Sequence, residues 1–138
     1  MLASHHLLDN TPVTLDNGES NEDWAVRHHS FHRALLSGCA NPRLQAIAAD
    51  LRDCAELYRR WYWAVTHDGD HDIATQHRLL KDLTLARETD TAVALLRNHI
   101  ERAPLRLVAY IAEHGTPTVD PLPSGYREYP RGSAHARH

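Results

Sequence analysis

The chain is poor in cysteine, in clustered basic charge and in long apolar runs, and each shortage removes a class of protein. Two cysteines in 138 residues, Cys39 and Cys54, cannot build a disulfide framework, and neither stands in a CxxC pair. Reduced thiols packed as small hydrophobes are expected at both. With a formal net charge of -3 and Arg59-Arg60 as the only adjacent basic pair, there is no cationic face for phosphates, so direct nucleic-acid binding by this chain is not expected. No segment approaches the ~20 apolar residues of a membrane span. Met1 to His6 has neither the basic start nor the apolar stretch of a signal peptide. A soluble, cytoplasmic protein with no membrane role is expected. Strand-type alternation is also missing over any useful length, which points to an all-α fold in one domain of ordinary size.

The helical signals divide the chain. Residues 1–19 read as the end of a helix, Leu2 to Leu8, followed by a loop marked by Asn10-Thr11-Pro12 and Asp16-Asn17-Gly18. Residues 20–114 read as the folded unit. Ser20 with Asp23 resembles a capping box opening a helix whose apolar face is Trp24, His28, Phe31, His32 and Leu35, stopped at Gly38. Asn41-Pro42 restarts the chain as N-cap and first helical residue. The next helix, to about Val65, carries Leu44, Ile47, Leu51, Cys54, Tyr58, Trp61 and Val65 at spacings of three and four, and that side is expected to be core along its length. His67 to Asp72 is a polar break that fails as a calcium loop: counting from Asp68, Ile73 stands where glycine is needed and Leu79 where glutamate is needed. A helix from about Asp72 to Arg87 turns Ile73, His77, Leu80 and Thr84 inward. The last runs from Asp90 to about Glu113 with Ala92, Leu95, Leu96, His99 and Ala103 inward, and Pro104 predicts a kink near Ile100 to Ala103. From Gly115 to His138, proline and glycine with little periodic apolar content predict a flexible tail.

What is abundant is histidine, twelve in all, and position matters more than number. His28, His32, His77 and His99 each fall on the apolar face of a predicted helix, where a solvated imidazole would not be placed. His28 and His32 are one turn apart, which projects both rings toward one point. A single inward histidine is ordinarily a satisfied core residue, but four would each need a hydrogen-bond partner, at about 1–3 kcal/mol for each one left unmatched. A metal satisfies one nitrogen on all four, and neutral imidazole suits zinc, nickel, copper and iron. His29 points about a quarter-turn away and is left outside the set.

The runs His28-His29-Ser30-Phe31-His32-Arg33-Ala34-Leu35, Ala40-Asn41-Pro42-Arg43-Leu44, Gln76-His77-Arg78-Leu79-Leu80, Thr89-Asp90-Thr91-Ala92 and Leu96-Arg97-Asn98-His99-Ile100 resemble the FCD effector-binding domain of GntR-family bacterial transcription regulators. Members carry an acidic residue four before the histidine of an FH pair, a histidine in an EH pair, and another histidine 22 residues later. Here His28 and His32 differ by 4 and His77 and His99 by 22, and the resemblance covers about Glu22 to Ala112. It implies an antiparallel helical bundle with a central divalent metal that binds a small carboxylate effector and thereby alters the DNA affinity of an attached winged helix-turn-helix. Two positions depart from the pattern, His28 replacing the usual aspartate ligand and Gln76 the glutamate of the EH pair. Imidazole for carboxylate leaves the site one unit more positive, favouring an anionic ligand and softer metals, zinc or nickel first. A third departure is that no DNA-binding segment and no first effector-domain helices precede the match, so the chain reads as a fragment, a shortened product or a specialised stand-alone protein, with an apolar flank that predicts a homodimer.

These readings give a metal-dependent, ligand-sensing domain of a GntR-type regulator, not an enzyme, with His28, His32, His77 and His99 as metal ligands. Arg59 and Arg60 are candidates for effector binding against the plainer reading of a surface pair snorkelling beside Trp61 and Tyr62. The alternative is a stand-alone metal-dependent enzyme on the same scaffold, for which no carboxylate is expected beside the histidines. A structural bundle with stacked core histidines is the third reading.

Overall fold

Helix caps and apolar stripes set the architecture, in a computed structural model that describes residues 1–66 and 72–116, without the side chains of 64–66. Five helices follow in order among the described residues: α1 (Leu2–Asp9), α2 (Glu22–Leu36), α3 (Pro42–Thr66), α4 (Ile73–Ala86) and α5 (Thr89–His114). The expected all-α bundle is present, and the only strand-like feature among these residues is an isolated bridge between Thr14 and Ser20. The polar break at His67 to His71 and the segment beyond Thr116 lie outside the described residues.

Asn21, not Ser20, caps α2. Its Oδ1 accepts from the Asp23 N–H (3.0 Å), while its Nδ2 donates to the Pro12 carbonyl (2.9 Å) and pins the preceding loop to the helix start. Glu22 and Asp23 place negative charge on the first turn, where the helix dipole favours it. Asn41 caps α3 as expected, its Oδ1 accepting from Arg43 N (3.0 Å) and Leu44 N (3.3 Å). Arg87 ends α4 in the left-handed region (φ 60), and its amide and that of Glu88 donate to the Thr84 and Leu83 carbonyls. α5 runs without a break through Pro104.

The centre is small: Leu8, Trp24, Phe31 and Leu80 are buried together, with Leu35, Ile73, Leu95 and Leu96 packed around them. α1 lies on α2 and α4, α4 on α5, and α3 mainly on α5. The sequence reading erred over α3. Leu44, Ile47, Leu51 and Tyr58, expected to be core, are 44–65 % exposed, and Cys54 is an exposed thiol instead of a packed one. An amphipathic stripe packs only where another element covers it, and none of the described elements covers this one. α3 instead turns Ala48, Arg52, Ala55, Glu56 and Arg59 toward a cavity shared with α2 and α5. No helix among the described residues is long and apolar enough to cross a membrane.

Candidate metal centre and adjoining cavity

α2 delivers two imidazoles from consecutive turns, α4 one and α5 one, and the four meet. One nitrogen from each of His28, His32, His77 and His99 lies within 4.8 Å of the other three. The Nε2 atoms of His32 and His28 are 3.1 Å apart, and those of His99 and His32 are 3.2 Å apart. Donors around one zinc at ~2.0–2.1 Å each would sit roughly 3.3 Å from one another in a tetrahedron, so these two spacings are those of ligands to a single ion. His77 is 2 % exposed, and its Nε2 has no hydrogen-bond partner among the described residues. A buried ring nitrogen without a partner, on a histidine that meets three others, is what the plain core reading does not accommodate.

The electrostatics keep three of these rings, His28, His32 and His77, neutral. Burial first, then the charge of His32 and His77, holds His28 well below the ordinary histidine range, and burial with His99 and His77 does the same for His32. Burial, with His99 and His5 adding to it, pushes His77 down to about 3. Neutral imidazoles offer the lone pairs that a metal needs.

Two neighbours orient the rings. Gln76 Nε2 donates to Asp72 Oδ2 (3.2 Å), which fixes the amide so that Oε1 faces His99 Nδ1 at 2.8 Å. That oxygen only accepts, so His99 Nδ1 carries the proton and its Nε2 lone pair points into the cluster. Trp24 stacks on His28 (centroids 4.6 Å apart, planes 12° apart), and the Arg59 guanidinium carbon lies 5.0 Å from the Trp24 ring centre. His29 stays outside, 3.7 Å from Asp53, as its register implied.

Glu56 is a site neighbour that helical periodicity alone did not single out. Its carboxylate, on α3, lies 3.9 Å from His28 Nδ1, where no acidic group was expected. It accepts from Arg59 (2.6 and 2.8 Å) and from Arg60 Nε (3.1 Å), and Arg60 forks onto Glu22 at 2.7 and 2.8 Å. Of the two arginines singled out, Arg59 lines the cavity and Arg60 does not. Both are engaged with carboxylates of this chain. The cavity, about 300 Å³, opens beside His28, His32 and His99 and also exposes Arg52.

The FCD domain model matches residues 5–102. The chain belongs to the FCD family. Among its relatives is the HTH-type transcriptional repressor GlaR of Escherichia coli (strain K12), 31 % identical over 104 residues, which make up 72 % of this chain and 47 % of that protein. Another is the uncharacterized HTH-type transcriptional regulator BphR of Paraburkholderia xenovorans (strain LB400), 33 % identical over 90 residues, 65 % of this chain and 34 % of that one. The chain therefore spans less than half the length of these curated relatives, and no solved structure matches it. Both relatives are named as HTH-type transcriptional regulators, in keeping with a regulatory role for the FCD domain.

Proposed function

We propose that this chain is the ligand-sensing domain of a GntR-type transcription regulator, in which His28, His32, His77 and His99 hold one divalent transition metal and that metal takes the carboxylate of a small organic acid. The observation that carries the proposal is the convergence of four imidazole nitrogens from three helices, one of these rings being buried with a nitrogen that has no hydrogen-bond partner among the described residues. A metal bound there supplies a Lewis-acidic cation, and four neutral ligands leave its full charge for an anion. Zinc and nickel suit an all-nitrogen donor set best. Gln76 and Trp24 position two of the rings, and Arg59, held by Glu56, edges the opening.

Residues 20–114 are the proposed sensing unit, with α1 docked on it. The regulatory output requires a DNA-binding partner domain, and the exposed α3 stripe is consistent with a homodimer. Glu56 does not revive the enzyme reading, because both its oxygens are committed to Arg59 and Arg60.

The test is a thermal melt of zinc-loaded and chelated protein with and without a carboxylic acid. At a hundredfold excess over Kd, the acid should stabilise the loaded form by about 2.7 kcal/mol and the chelated form hardly at all. Equal shifts in both forms would remove the metal from the binding event.

A further inference from the structure

The cavity is chemically lopsided. Its 300 Å³ equals roughly ten waters at ~30 Å³ each, yet much of its wall is carbon: Trp24, Leu35, Leu36, Trp63, Ile73 and Leu96. Charge gathers on the arginine side. Glu56 is saturated by Arg59 and Arg60, and Arg102 lies 3.8 Å from Asp72. Arg52 differs from these. It lines the cavity close enough to His32 for its charge to be felt there, and it makes no hydrogen bond or ion pair among the described residues. Burial already disfavours its cationic form. The carboxylate whose charge reaches it is that of Asp53, which is 56 % exposed and lies 3.7 Å from His29. A partly buried guanidinium with no ion pair of its own on the cavity side, next to the buried His32, is matched by an anion from outside.

Neither the apolar wall nor Arg52 is needed to hold a metal, and together they describe a ligand. We propose that the effector is an amphipathic organic acid of roughly ten heavy atoms, an aryl or medium-chain alkyl carboxylate, whose carboxylate lies between the histidine centre and Arg52 while its apolar body covers Trp24, Leu35, Leu36 and Leu96. This rests on the metal-anchored reading above and narrows it. A short hydroxy-acid would leave the wall wet, and a hydroxyl pressed against it would lose its water without gaining a partner. Each methylene buried there tightens binding about fourfold.

Isothermal titration of the zinc-loaded chain with acetate, butanoate, hexanoate and octanoate, alongside succinate and malate, tests the proposal. Affinity should rise about fourfold per methylene until the wall is covered, with malate no tighter than acetate. Arg52→Gln should weaken every acid at least about tenfold and leave the chain-length step unchanged. Ala55→Phe, which fills part of the cavity, should weaken octanoate and spare acetate. Zinc-dependent binding that is flat along the series, or malate or succinate outcompeting hexanoate, overturns the amphipathic ligand alone. Wild-type affinity in a folded Arg52→Gln protein overturns the role of Arg52. Failure of every acid to bind zinc-loaded protein overturns this inference and the metal-anchored reading together. The series on unmodified protein decides the ligand class even where a variant fails to fold.

Discussion

Acidification of the metal-free protein probes the histidine cluster through its folding energy. His77 is 2 % exposed and titrates at about 3, because burial penalises its charged form and His99 and His5 add like charge. In the unfolded chain the same ring titrates near ~6.5. Above that value it is neutral in both states and costs nothing. As pH falls from 6.5 toward 3, the unfolded state takes up a proton that the folded state refuses, so stability is progressively lost. The two pKa values give a loss of about 2 kcal/mol at pH 5 from His77 alone. His28 and His32 shift in the same direction and add to it. At roughly 4 °C per kcal/mol for a domain of this size, the melting temperature of chelated protein should drop by at least about 8 °C between pH 7.5 and 5. Circular dichroism melts at constant ionic strength measure this. His77→Met should flatten the slope by up to about 1.4 kcal/mol per pH unit. A wild-type melting temperature that holds steady down to pH 5, or a variant slope equal to wild type, refutes a buried neutral cluster.

Gln76→Leu should lower zinc affinity about 10- to 100-fold, the usual cost of deleting a hydrogen-bond partner of a ligating imidazole, with the fold intact by circular dichroism; competition against a chromophoric chelator measures it, and unchanged affinity contradicts the role assigned to that amide. Because Trp24 stacks on His28, nickel or copper should quench part of the tryptophan emission, and Trp24→Phe should lose that component while still binding metal. Quenching that is identical in the variant would place the metal elsewhere.

The histidine set was legible because helical periodicity does the geometric work. Residues at i and i+4 share a face, and each histidine stood where its neighbours in register were apolar. α3 misled for the same reason. Its stripe of Leu44, Ile47, Leu51 and Tyr58 obeys the periodicity of a buried face, but burial depends on a covering element that periodicity does not report. The charged side chains beside the cavity were only partly legible. Arg59 was a candidate by residue type, whereas Arg52 and Glu56 stand off the apolar stripe of α3 and were not singled out; tertiary packing turns all three toward the cavity. Arg60 meets Glu22 across 38 residues of sequence, a pairing that no local pattern encodes. The cap of α2 was misplaced by one residue because Ser20 and Asn21 are both good caps, and the bond from Asn21 to the Pro12 carbonyl selects the second.

Metal content tests the central claim most directly. Unmodified protein and His77→Ala, both chelated, reloaded with zinc, desalted and measured by plasma mass spectrometry, should carry about one zinc per chain and well under half of one, respectively, since the variant removes the only donor from α4. Less than about a tenth of an equivalent in the unmodified chain, or equal loading in the two proteins, would contradict a metal held by the four histidines.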